Sequence, residues 1–402
     1  MIQKIINKVM KPRHFWRNVG FNELSELYTS IFLRSLATNL MGLFVPIYLH
    51  GLGYSVRSIF IFYIVFFGAR VVFDVVSAFI VGRVGPKHSI AISTIGSIVY
   101  LGLLLTISTS GWPVYTIAPF GAATMSLFFV AFNTDFSKVK DSKNGGKEVG
   151  YLTTFEKLGG IAGPLLGGVI ATVFDPRYTI ALAIVLFGVS LVPLFKTNEQ
   201  VRLHQRITVK GFRWRVHAKE FASYSFFATE NIISILVWNF YLSLTVFKSG
   251  AYAKIGIITA LSTAVSLLAI KIVGITVDKK DGRKLLNAGV LANSAIHLLR
   301  VIITTPLGVL GVNIINDPIT VAYRMPFSKQ FYDQSDTVPG FRILYIAINE
   351  VTSNILKMLV WVGLLVASSY VTEVTAMKGA FIVAAVFSLG IALQPKAVNN
   401  QE

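Results

Sequence analysis

Residues 57–81 read RSIFIFYIVFFGARVVFDVVSAFIV. Past Arg57 at its edge, this run holds two charges, Arg70 and Asp74, and is long enough to cross ~30 Å of hydrocarbon as a helix, which takes about 20 residues. Eleven more apolar runs accompany it, at 27–49, 89–109, 112–134, 149–174, 178–195, 220–246, 253–276, 285–304, 306–327, 341–369 and 377–394. The expected fold class is therefore an all-α integral membrane protein with twelve transmembrane helices. Composition agrees, since 54% of the 402 residues are hydrophobic and 14% charged, where a soluble domain carries about 25% charged residues.

The net charge of +18 would suit a nucleic-acid binder if the basic residues formed one patch. Instead they gather in alternate loops. With the N-terminus placed in the cytoplasm, the outer loops hold five basic residues (Arg57, Arg177, Lys248, Lys254 and Lys378), and the cytoplasmic loops hold most of the rest. This is the positive-inside pattern. It predicts a plasma (inner) membrane protein with both termini cytoplasmic and no nucleic-acid partner. Residues 1–26 form a basic N-terminus in which Ile2, Ile5, Ile6, Val9 and Met10 recur at helical spacing, suiting either a helix lying on the membrane surface or a disordered tail. No cleavable signal peptide is expected at this end. The expected domains are helix bundles at 27–195 and 220–395, a basic cytoplasmic linker at 196–219 and a tail at 396–402.

The two bundles carry traces of a repeat. Phe136-Ser137-Lys138 recurs as Phe327-Ser328-Lys329, and an intramembrane acid follows each, Glu156 in span five and Glu350 in span eleven. A second pair of loops, Gly82 to Lys87 and Asp278 to Lys284, follows spans two and eight. Common offset and topological position point to a duplicated six-helix unit.

On these features the chain resembles the major facilitator superfamily over nearly its whole length. The loop Gly274, Asp278, Lys279, Gly282, Arg283 and Lys284 is similar to that family's G-x-x-x-D-(R/K)-x-G-(R/K)-(R/K) motif with one extra residue. The first-half copy keeps Arg83, Gly85 and Lys87 but has Ala78 and Gly82 where glycine and aspartate are usual. The resemblance implies cytoplasmic gate loops whose charges pair in one conformation and separate in another. In span five, Gly150, Gly159, Gly163, Pro164, Gly167 and Gly168 match G-x8-G-x3-G-P-x2-G-G, a pattern associated within the superfamily with antiporters. Gly159, Gly163 and Gly167 share one helix face and permit a close helix contact, expected to seal one side of the central cavity. Pro164 cannot donate to the Gly160 carbonyl, which favours a bend. The arginine usual in span four of drug antiporters is missing.

The resemblance also implies that spans one, four, seven and ten line a central cavity. These contribute Arg34 and Asn39; Glu230, Asn231, Trp238 and Asn239; and Asn313, Asn316, Asp317 and Thr320, the last four on one helix face. A charge near the bilayer centre costs about 2.5–3.5 kcal/mol, so each calls for a role. Arg34 either recognises a charged substrate or pairs with an acid inside the bundle. Glu230 sits near the midplane and is the expected proton-coupling acid, with Glu156 second. Arg70 and Asp74, and Glu350, Asn354 and Lys357, have the i, i+4 and i, i+7 spacing of local ion pairs.

With no cysteine and six scattered histidines, no metal site or cofactor is expected. Gly145-Gly146-Lys147 is followed by Glu148, so no phosphate loop exists, and protease motifs are missing too. The reading is a non-enzymatic secondary transporter, acting as a monomer on a small molecule by alternating access, with protons as the coupling ion. Proton-coupled export is the favoured mode, uptake of a polar metabolite such as a sugar the alternative, and a non-transporting receptor or scaffold the reading from another class.

Overall fold

The computed structural model describes residues 23–139, 145–194, 207–279, 282–338 and 340–395. The expectations for the chain before residue 23 and for the tail from 396 lie outside the described residues, as does the linker up to residue 206. Among the described residues every regular element is helical. In chain order the helices are α1 (Glu23–Met41), α2 (Val45–Gly51), α3 (Val56–Val84), α4 (Pro86–Ser110), α5 (Val114–Val139), α6 (Gly145–Val173), α7 (Pro176–Leu194), α8 (Trp214–Ile232), α9 (Trp238–Thr245), α10 (Ala251–Lys279), α11 (Arg283–Arg300), α12 (Pro306–Asp336), α13 (Arg342–Ala367) and α14 (Glu373–Gly390).

Two spans are interrupted. A 3-10 turn at Gly42–Phe44 joins α1 to α2 as span one, and a π-helical turn at Ile233–Val237 joins α8 to α9 as span seven. The two breaks begin 191 residues apart, at Gly42 and Ile233, the offset that also separates Phe136 from Phe327, so the duplication seen in the Phe-Ser-Lys repeats extends to where the spans break. The repeats themselves lie inside α5 and α12, because both helices outrun their apolar stretches. Likewise α8 begins at Trp214, so the end of the expected linker is already helical.

The sequence marks where the spans end. Ser55, Thr305 and Thr372 cap α3, α12 and α14 by accepting the amides of Ser58, Gly308 and Thr375, satisfying donors that a helix start leaves open. Gly85 takes φ +86° between α3 and α4, a conformation that suits glycine and lets Pro86 open the next helix. Eight spans are apolar and long enough to cross a membrane on those criteria alone. The remaining four, built on α6, α8–α9, α11 and α12, carry much of the polar chemistry. Val72, Val75, Val76 and Phe79 on α3 and Leu261, Leu268 and Ile272 on α10 point outward, as lipid-facing helices require.

Packing repeats with the period of the duplication. In the first half span one packs on five and six, two on four, and three on four and six; in the second, seven packs on eleven and twelve, eight on ten, and nine on ten and twelve. The halves meet along two further seams, span five against eight and span two against eleven. The end of the bundle where α3, α5 and α7 finish is its basic end.

Candidate functional site

Between the halves lies a cavity of two joined lobes, of about 380 and 360 Å³. The first is largely aromatic, with Tyr63, Phe66, Phe67, Tyr100, Phe132 and Phe331 among its walls. The second is polar, and Asn239, Asn313, Asn316, Asp317, Thr320 and Trp238 line it. Arg34, Asn39, Glu156, Asn231 and Arg324 line both lobes and stand at their junction. The halves touch at both ends of this space. At the basic end Tyr332 donates to Asn133 at 3.1 Å and meets the Phe136 ring at 4.7 Å. At the opposite end Arg57 pairs with Glu373 at 3.5 Å, Tyr63 stacks on Trp361 at 4.5 Å, and the Ala253 amide donates to Thr172 at 3.1 Å.

Arg34 is 5% exposed and, among the described residues, has no acid partner. It donates to Thr94 at 2.8 Å and Ser97 at 3.5 Å, and its guanidinium lies 3.7 Å from the Phe128 ring centre. Of the two roles open to Arg34, pairing with an acid inside the bundle is not seen among the described residues. Asn39 turns back on its own helix, donating to the Ser35 carbonyl at 2.8 Å. Trp238 Nε1 donates to Asn313 at 3.1 Å across spans seven and ten, and Thr263 donates to Asp317 at 3.1 Å.

Glu230 does not line the cavity. Its carboxylate turns into the second bundle, where it lies 2.7 Å from His297 and accepts from Ser234 at 2.8 Å and Tyr323 at 2.9 Å. Partners on spans nine and ten give a fully buried charge the hydrogen bonds that an open polar lobe would have left to water. Contact with the cavity is indirect. Ser234 and Arg300 both line the polar lobe, and Arg300 donates to Ser234 at 3.0 Å. Glu156 does face the cavity, and no base lies within ion-pair distance of it among the described residues.

Arg70 and Asp74 are 3.8 Å apart, as the spacing predicts, but the second expected pair is not formed. Glu350 instead meets Arg70 across the two halves at 3.1 Å and accepts from Tyr224 at 2.5 Å. Asn354 donates to Asp74 at 2.6 Å, also across the halves, while Lys357 donates to Ser353 and Asn354, each at 3.2 Å. The opposite charge offered by the facing bundle displaces the neighbour on the same helix. The result is one buried network joining spans two and eleven.

The span-five glycines divide between two seams. A methyl group on Gly159 would lie 2.7 Å from Ser35, one on Gly163 2.7 Å from Asn39, and one on Gly167 would overlap the Leu40 carbonyl. That face makes the expected close helix contact, with span one of the same half. Between the halves, Gly168 closes on the Tyr252 carbonyl, and Gly256 of span eight closes in return on the Pro164 carbonyl. Gly150 faces Met325 near the basic end.

Of the gate-loop residues, Arg83 and Lys284 are exposed and Lys87 is buried. Arg283 donates to the carbonyls of Ala392 and Gln394, fastening the chain beyond α14. Gly282 sits where a methyl would come within 2.9 Å of Pro326. The Asp278 side chain and residues 280–281 lie outside the described residues, so the latch expected there is not visible.

A family model described as Major Facilitator Superfamily matches residues 27–323, from span one into span ten. The chain belongs to the major facilitator superfamily. This facilitator is accordingly a membrane-embedded transporter of small molecules rather than an enzyme. Its fold is similar to that of the human organic anion transporter MFSD10 (TETRAN), at 12% identity and TM-score 0.67, over 92% of this chain and 98% of the other. It is similar also to a variant of the E. coli fucose:proton symporter FucP, at 13% identity and TM-score 0.61, over 91% of this chain and 97% of that one. Comparison with curated protein sequences finds no match.

Sequence reasoning missed three parts of this facilitator's site. Arg324 lies near the end of the tenth apolar run and reads as part of a basic loop, yet it lines both lobes. His297 and Tyr323, the partners of Glu230, lie 67 and 93 residues beyond it, where no helical spacing links them to it. Gly256 belongs to no motif, although an isolated glycine inside an apolar run is itself a signal of close helix approach.

Proposed function

We propose that this facilitator is a proton-coupled exporter of a small organic solute, moving it by rocking the two halves about the cavity between them. The observation that carries the coupling is the path Arg300–Ser234–Glu230–His297, which ties a cavity-lining cation to a buried acid. A solute engaging Arg300 competes with Ser234 for it, and Ser234 is one of the donors that hold the Glu230 carboxylate. Substrate and proton occupancy are thereby linked. Such linkage lets a gradient bias the two conformations, because they must differ in affinity for both ligands. Outward direction rests on the span-five glycine pattern. The amides of the polar lobe favour a second reading, uptake of a polar metabolite such as a sugar. Orientation follows the basic loops, with the basic end and both termini on the cytoplasmic side of the plasma membrane and a monomeric chain among its lipids.

Reconstitution in vesicles with and without an imposed pH gradient tests the proposal. Glu230→Gln keeps the size of the side chain and removes its titration. It is expected to abolish gradient-driven accumulation while sparing downhill exchange, with Glu156→Gln weaker in the same sense. Accumulation by Glu230→Gln with unchanged pH dependence refutes Glu230 as the coupling acid.

A further inference from the structure

Six bases (Arg34, Arg70, Lys157, Arg300, Arg324 and Lys357) and three acids (Glu156, Asp317 and Glu350) line the two lobes. Arg70 is paired with Glu350, but Arg34 and Arg324 hydrogen-bond only to neutral groups among the described residues, Glu156 attracting Arg324 from beyond ion-pair distance. Arg34 rests on two hydroxyls and the Phe128 face; Arg324 reaches Asn231 at 3.4 Å and lies 5.7 Å from the Phe227 ring centre. The buried Nε of Arg300, in the wall of the polar lobe, has no hydrogen-bond partner. Neutral dipoles compensate a buried cation less well than an anion does. The surplus of positive charge thus stands in the cavity, with an aromatic chamber on one side and amides on the other.

We propose that the cavity binds an amphipathic organic anion, with its anionic group at the lobe junction between Arg34 and Arg324 and its apolar body in the aromatic lobe. This substrate class rests on the transport reading, which it deepens. Asp317 is engaged by Thr263, and Glu350 by Arg70 and Tyr224. Glu156, which shares the junction, is the group that would receive a cation instead.

Three probes share one body and differ in charge: naphthalene-2-sulfonate, naphthalene-2-carboxamide and 2-naphthylmethylammonium. Binding is read as thermal stabilisation of the purified full-length chain in detergent, since a ligand of the folded state raises the melting temperature. The sulfonate is expected to stabilise and the other two to have little effect. Arg34→Gln should weaken sulfonate binding by roughly 10- to 100-fold, the range for a lost charge-assisted hydrogen bond. Arg34→Lys should retain part of the binding, and Arg177→Gln, in an exposed turn, all of it. Arg324→Gln, at a partly exposed position, should weaken binding likewise and decides the matter should Arg34→Gln not fold. Preference for the ammonium that is lost in Glu156→Gln, equal stabilisation by the carboxamide, or no response to millimolar sulfonate each overturns the proposal. Binding is measured without flux, so the two readings fail separately: sulfonate bound but not moved refutes transport, and sugar moved without sulfonate binding refutes the anion.

Discussion

Replacing Gly256 by alanine should hold apart the seam between spans five and eight. The added methyl would overlap the Pro164 carbonyl oxygen and lie 3.0 Å from its carbon and 3.4 Å from the Gly168 Cα. Both neighbours are backbone, so no side chain can swing away. Overpacking of this kind costs about 1–3 kcal/mol. The contact joins the two halves, so the penalty falls on the arrangement in which that end is closed and shifts its population by about 5- to 150-fold. Gly163→Ala is the control. Its methyl would lie 2.7 Å from Asn39 Cβ on span one of the same half, where the cost falls on every conformation and lowers stability alone. The chain contains no cysteine, so a pair introduced at Thr172 and Ala253, whose Oγ1 and amide are 3.1 Å apart, reports closure by cross-linking. Gly256→Ala should slow cross-linking severalfold while Gly163→Ala leaves its rate unchanged. Equal rates in Gly256→Ala and the parent would refute the assignment of Gly256 to the moving seam.

Removing the Glu350 charge leaves Asp74 at 3.8 Å as the acid partner of buried Arg70 among the described residues, so Glu350→Gln should destabilise by up to about 3–5 kcal/mol. Arg70→Gln combined with Glu350→Gln should recover part of that loss in thermal unfolding, and strictly additive effects would contradict a direct pair. Cysteine at Asn239 or Asn313, both in the wall of the polar lobe, should react with polar thiol reagents and be protected by substrate. Protection of both sites in every condition would place them outside the transport path.

The number and order of the spans were legible in the sequence, because crossing a bilayer is a local demand on each segment: enough consecutive apolar residues, then a turn. The duplication was legible for a related reason, since two halves built alike keep their turns and breaks at matching positions. The amide stripe on span ten was readable too. Positions 313, 316, 317 and 320 share a helix face whatever surrounds them, and all four line the polar lobe.

Partner choice was decided by tertiary structure alone. Helical spacing can propose a neighbour on the same helix, as it did for Glu350 and Lys357, but it cannot see Arg70 arriving from 280 residues away. Span seven shows the same limit. Glu230 and Asn231 are adjacent, yet Asn231 faces the cavity and Glu230 the His297–Tyr323 pair, because successive side chains on a helix point about 100° apart and only the packed bundle sets which direction is inward. The glycines of span five divide for this reason as well: adjacent Gly167 and Gly168 serve different seams, one within a half and one between halves. Apolarity and polar spacing are properties of a segment, and the sequence determined them; direction and partner belong to the assembled bundle, where long-range contacts outweigh the local ones that spacing can reveal.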